Sequence, residues 1–123
     1  MARILIIENE IVFLEEIMSI LQFEGFEVIG ADNGRRGIEL AKTDRPDMII
    51  CDIGMPEVDG YGVLAIIRDN PSIAETPFIF LTAKAAQRDQ RKALEMGATD
   101  YLIKPFSTRN LLSKIRTYLN DRD

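Results

Sequence analysis

Met48-Ile49-Ile50-Cys51-Asp52-Ile53-Gly54-Met55-Pro56-Glu57-Val58-Asp59-Gly60 begins as an apolar run and breaks off in a carboxylate. Four consecutive apolar residues leave no face for water, so Met48 to Asp52 reads as a strand buried on both sides, the kind that parallel sheets use. A loop with two glycines and a proline follows Asp52. A buried strand that delivers one acid to its carboxyl end presents a reactive side chain, and the reading makes Asp52 that side chain.

The rest of the chain repeats the pattern on either side. Ile4-Leu5-Ile6-Ile7 is a similar run with Glu8-Asn9-Glu10 at its tip. From about Ile11 to Phe23, apolar residues fall at Ile11, Leu14, Ile17, Met18 and Leu21, which is helical spacing, and Gly25 supplies a C-terminal stop. Val28 to Ala31 reads as a second strand. A helix from about Arg35 to Thr43 turns Ile38 and Ala41 inward, and Pro46 bars its continuation. Beyond the central strand, Asp59 or Gly60 opens a helix with Val63, Leu64, Ile66 and Ile67 as its apolar positions, and Asn70-Pro71 closes it. Phe78 to Leu81 is a fourth strand ending at Thr82-Ala83, followed by a helix from about Ala85 to Met96 that stops at Gly97. Tyr101-Leu102-Ile103 is a fifth strand ending at Lys104-Pro105. Ser107 is a suitable N-cap for a last helix that buries Leu111, Leu112, Ile115 and Leu119.

Strands and helices thus alternate five times with short links and no repeat. That predicts one domain over residues 1–123, a three-layer α/β sandwich on a parallel sheet. A chain of 123 residues buries a substantial core without staples. The single cysteine, Cys51, permits no internal disulfide and reads as a small buried hydrophobe in a reducing, cytoplasmic setting. No apolar run is long enough to span a membrane, and no signal pattern opens the chain. The net charge is −5, which repels phosphate backbones and argues against direct binding of nucleic acid. Histidine is absent. That removes Ser-His-Asp and Cys-His catalysis, and leaves oxygen ligands suited to a hard cation such as Mg²⁺.

In sheets of this kind ligands bind beyond the carboxyl ends of the strands. Those tips carry Glu8, Asn9, Asp52, Thr82 and Lys104. Singly, each has a bland reading, because strand ends are where solvent begins. Together they suit phosphoryl transfer to a carboxylate. Asp52 would attack a phosphoryl donor to give an acyl phosphate. Charge spreads over the oxygens of the transferring group, so catalysis consists of positioning and neutralisation. Mg²⁺ would bridge Asp52, the Glu8/Asn9 side chains, the Gly54 carbonyl and the phosphoryl oxygens. Lys104 would pair with another oxygen, and Thr82 would donate to a third.

The chain closely resembles the receiver domain of two-component response regulators along essentially its whole length. The resemblance is carried by Ile4-Leu5-Ile6-Ile7-Glu8-Asn9-Glu10, by Asp52 with Met55-Pro56 and Asp59-Gly60, by Leu81-Thr82-Ala83, by Gly97-Ala98-Thr99-Asp100-Tyr101, and by Lys104-Pro105-Phe106. It implies a flavodoxin-like fold with strand order 2-1-3-4-5 and phosphorylation of Asp52 by a histidine kinase or phosphotransfer protein with Mg²⁺. It also implies Thr82 and Tyr101 as a switch pair, Lys104 as the phosphate-binding lysine, and a cis Lys104–Pro105 bond. Such a domain is a phosphoprotein and not an enzyme, beyond slow self-dephosphorylation. The resemblance also allows a homodimer through the last two helices, although the charged fourth helix offers no apolar patch for one.

One position departs from the family pattern. Its first strand ends in two acids, and here the second is Asn9. An amide oxygen still ligates Mg²⁺ but brings no charge, so weak Mg²⁺ affinity is expected. The alternative is a receiver-like interaction module that acts without phosphorylation. An aspartyl phosphatase would need a second acid where Gly54 stands, and a nucleotide module would need a glycine-rich loop where Glu8-Asn9-Glu10 stands. The chain also reads as a stand-alone receiver or as the N-terminal part of a larger regulator. The fourth helix carries the polar run Gln87 to Lys92, and its apolar face consists of Ala83, Ala86 and Ala93, with Leu94 and Met96 near the end. Small side chains bury little area, so its first half should be weakly anchored and shift on activation.

Overall fold

The computed structural model describes residues 1–83 and 87–120. Five strands alternate with five helices: β1 (Arg3–Ile7), α1 (Ile11–Phe23), β2 (Glu27–Ala31), α2 (Gly34–Asp44), β3 (Met48–Asp52), α3 (Gly60–Arg68), β4 (Phe78–Thr82), α4 (Gln87–Glu95), β5 (Asp100–Ile103) and α5 (Thr108–Asn120). The strands form one parallel sheet in the order β2-β1-β3-β4-β5. This is the expected flavodoxin-like architecture. The expected start of α4 at Ala85, and Ala86 on its apolar face, lie outside the described residues.

Alternation along each strand splits the core into two layers, because successive side chains point to opposite faces. Leu5, Ile7, Ile49, Cys51, Phe78 and Phe80 face one way and pack under α2, α3 and α4. Ile4, Ile6, Met48, Ile50, Ile79 and Leu81 face the other way, under α1 and α5. Every residue of β3 and β4 is buried, as the unbroken apolar runs require. The edge strands β2 and β5 are mostly half-buried.

Local signals set the helix ends. Asn33 and Asp59 cap α2 and α3 by accepting from the N–H groups of Arg36 and Gly62, and the Ser107 hydroxyl accepts from Asn110 N–H before α5. Helices α1 and α4 end alike. Gly25 and Gly97 take the left-handed conformation, and the following residues donate back to Leu21 and Ala93. Five expected apolar positions differ. Ile11 is exposed because it lies in the first turn of α1, where the helix starts beyond the sheet edge. Ile66 falls off the arc that turns Val63, Leu64 and Ile67 inward. On α4 the Ala93 side chain takes the inward direction, which leaves Leu94 and Met96 exposed, and Ala83 is exposed as well.

Candidate functional site

Because the sheet is parallel, the carboxyl ends of β1, β3, β4 and β5 open on one edge. Strand order reverses between β1 and β3, so their crossovers diverge there and leave a crevice. Asp52 is the last residue of β3. Its partner across the ladder is Leu81, one residue before Thr82, and Ile53 N–H donates to the Leu81 carbonyl at 3.1 Å. Lys104 follows β5 and is held by its own N–H, which donates to the Thr82 carbonyl at 2.8 Å. The Lys104–Pro105 bond is cis, as the resemblance implied.

Lys104 joins the tips. Its Nζ lies 2.9 Å from Glu8 Oε1 and 3.3 Å from Asp52 Oδ1. Glu8 is 0 % exposed and Asp52 only 8 %. Glu8 Oε2 also accepts the Glu10 N–H at 3.1 Å. A buried acid is costly without such partners, and Lys104 and the Glu10 N–H compensate the burial of Glu8. Burial disfavours the charged form of Lys104. The hydrogen bond to Glu8 and the fields of Asp52 and Glu8 outweigh it, and the ammonium titrates above its ordinary value.

A cavity of about 480 Å³ opens beside Asp52, bordered by Glu10, Gly54, Asp59, Tyr61, Thr82 and Lys104. Thr82 is buried at its rim. Gly60 is where α3 meets the end of β3: a Cβ there would stand 2.5 Å from the Asp52 carbonyl oxygen. Only glycine lets α3 start so close. Tyr101 is half-buried on β5, opposite Phe80 of β4 and with Lys114 Nζ 5.8 Å from its ring centroid. Thus Glu8, Asp52, Thr82 and Lys104 converge, while Tyr101 stands on the neighbouring edge strand.

Two groups with site contacts escaped the sequence reading. Phe13 of α1 lies under Lys104, with the ammonium 4.7 Å from its ring centroid. Lys92 of α4 stands 4.4 Å from the centroid of Tyr61, which borders the Asp52 cavity. Phe13 lies one turn past the β1 tip, an offset that alone does not separate a core aromatic from one that faces an ammonium.

The donor set fits a hard cation. Asp52 brings a carboxylate, Gly54 is exposed with no atom crowding its Cβ position, and Asn9 is half-buried at the β1 tip. Among the described residues no three acids or thiols already cluster around one point. Glu8 is engaged by Lys104, and the Asn9 position brings no charge.

An acid at the tip of the central strand β3, with a hydroxyl at the tip of β4 and an ammonium just after β5, defines an α/β domain of the receiver class. Residues 4–116 match the response regulator receiver domain, and the chain belongs to that family. It is 40% identical over 117 residues to the probable transcriptional regulator ycf29 of Pyropia yezoensis, covering 95% of this chain and 53% of that protein. It is 40% identical over 119 residues to the transcriptional regulatory protein PcoR of Escherichia coli, covering 97% and 52%. The chain therefore spans about half the length of the curated relatives it matches. Among solved structures, the receiver domain of Francisella response regulator 1452 superposes with a TM-score of 0.93 at 26% identity over the whole of both chains. The receiver domain of the Pseudomonas aeruginosa sensor histidine kinase PA1611, with a magnesium ion coordinated in its active site cleft, gives 0.89 at 31% identity, covering 97% and 98%. No helix among the described residues is long and apolar enough to cross a membrane.

Proposed function

We propose that Asp52 accepts a phosphoryl group from the phosphohistidine of a histidine kinase or phosphotransfer protein. An Asp52 oxygen attacks phosphorus, the P–O bond forms, the P–N bond to the donor imidazole breaks, and the imidazole leaves with the electron pair and takes up a proton. The observation that supports this most is the Lys104 ammonium between Glu8 and Asp52 at the mouth of a cavity large enough for a phosphoryl group. Lys104 neutralises one equatorial oxygen, and the Thr82 hydroxyl donates to another. Asp52, the Gly54 carbonyl and the Asn9 amide oxygen would hold Mg²⁺, with Glu8 behind them. Bound there, the ion would neutralise phosphoryl charge. Thr82 and Tyr101 relay the change towards α4. The domain carries the phosphoryl group and turns over no substrate. Its acidic balance puts any contact with nucleic acid outside this domain, and its one buried thiol suits the cytoplasm.

A second reading has its own observation. Asn9 supplies no charge and Glu8 is committed to Lys104, so a domain that signals without phosphorylation fits the same geometry. Beryllofluoride titration against Mg²⁺, followed by amide NMR, separates the two. The phosphoacceptor reading expects saturation at high Mg²⁺ in the wild type. Asn9→Asp should then tighten apparent Mg²⁺ affinity about tenfold, the factor that ~1.4 kcal/mol of added attraction gives. A wild type that stays silent at every Mg²⁺ concentration, while Asn9→Asp responds, establishes the second reading instead.

A further inference from the structure

We propose that Phe13 is a positioning residue for Lys104, its ring face keeping the ammonium turned towards Asp52; this rests on the reading of Asp52 as the phosphoacceptor. An ammonium has three hydrogens. Glu8 and Asp52 occupy two directions, and the Phe13 ring covers a third side at 4.7 Å from its centroid. That is within the range where a ring's negative face attracts a cation.

Lys104 needs such a device because it borders two cavities. One is the Asp52 cavity. The other, about 540 Å³, is walled by Val12, Phe13, Pro105 and Phe106, with Glu10 and Glu16 also on its lining. Glu16, which lines this cavity and not the first, offers the ammonium an alternative destination. The Phe13 ring lines that second cavity and turns its face to the ammonium, which favours the place the ammonium now holds beside Asp52. It is itself braced: Phe106 lies 5.8 Å away at 56°, and Phe13 packs against the α1/α5 core layer. Phe106 comes two residues after Lys104, so the loop that carries the lysine also fixes the ring beneath it. A π face attracts over a broad area and offers no single acceptor atom. Lys104 can therefore move from Asp52 to a phosphoryl oxygen while it stays on the ring.

The test is a double-mutant cycle read by phosphorylation with acetyl phosphate and Mg²⁺. Circular dichroism confirms that each variant is folded. Phe13→Leu should slow phosphorylation about tenfold, and Phe13→Tyr, which keeps the ring, should stay within about twofold of wild type. On a Lys104→Ala background, Phe13→Leu should have no further effect, because its partner is gone. In the wild type the Lys104 ε-methylene protons should show an upfield ring-current shift that Phe13→Leu abolishes. A Phe13→Leu rate equal to wild type overturns the proposal. So does an equal loss on the Lys104→Ala background, which marks Phe13 as packing alone. A wild type that accepts no phosphoryl group but retains the ring-current shift overturns the phosphoacceptor reading, and the positioning role with it.

Discussion

Cys51 and Asp52 are neighbours on one strand and meet opposite environments. The Cys51 side chain points into the layer under α2 and α3, fully buried, and its Sγ lies 3.2 Å from the Asp52 carbonyl oxygen. Burial, with Asp52 next in weight, pushes its thiol well above the ordinary value near 9.0. Native protein should therefore resist iodoacetamide at neutral pH and react only as fast as it unfolds, with the rate rising in urea. Rapid labelling without denaturant would contradict that environment. Asp52 and Lys104 were legible in the sequence because each ends an apolar run, and a charge at such a place has few structural uses. Phe13 was not. Helical spacing says which residues share a face, but an aromatic one turn past a strand tip reads the same whether its ring meets the core or an ammonium.

Helix α4 (Gln87–Glu95) buries little of its described surface. Of residues 88–95, only Ala93 is buried. Beyond its C-terminus the chain is fixed by the Gly97 turn and by Arg68, whose Nε donates to the Gly97 carbonyl at 2.9 Å. The other end of the Arg68 fork donates to the carbonyls of Ala74 and Thr76 at 2.9 and 2.7 Å, tying the loop before β4 to the turn after α4. Amides in the described part of α4 should therefore exchange faster than those facing the core in α1 and α5, and should slow towards Met96. Equal protection across the three helices would refute this. Arg68→Ala should cost about 2–3 kcal/mol in urea unfolding, because three carbonyls lose a charged donor, and should raise exchange at Gly97 and Ala98. The polar run Gln87 to Lys92 is the sequence feature from which weak anchoring is expected. The arginine clamp was hidden, because one Arg in the last turn of α3 reads as an ordinary helix end; only the fold brings 68, 74, 76 and 97 together.

Across the whole molecule, five apolar runs made the α/β class readable, but they do not by themselves order the strands. A faint ordering signal lies in their polarity. Val28-Ile29-Gly30-Ala31 and Tyr101-Leu102-Ile103 are weaker runs than Ile4 to Ile7 or Met48 to Cys51, and they prove to be the edges. The same global view fixes the pH response. Burial opposes ionisation of Asp100, but hydrogen bonds from Tyr118 (2.6 Å), Lys114 (2.9 Å) and Tyr101 N–H (2.7 Å) prevail and hold its carboxyl below the ordinary 3.8. A depressed carboxyl stabilises the fold above its unfolded value and loses that contribution as pH falls through the folded one. The Lys104 ammonium is raised above 10.5, so its contribution is complete below that value and disappears as pH rises through the folded one. The Cys51 thiol begins the alkaline decline earlier, because the unfolded chain ionises near 9.0 while the buried thiol does not. No histidine titrates between these limits. Urea midpoints should therefore stay nearly level from about pH 5 to 8.5, then fall below about 4 and above about 9. Asp100→Asn should flatten the acid limb, Cys51→Ala should soften the first part of the alkaline limb, and a step near pH 6.5 would contradict the whole assignment.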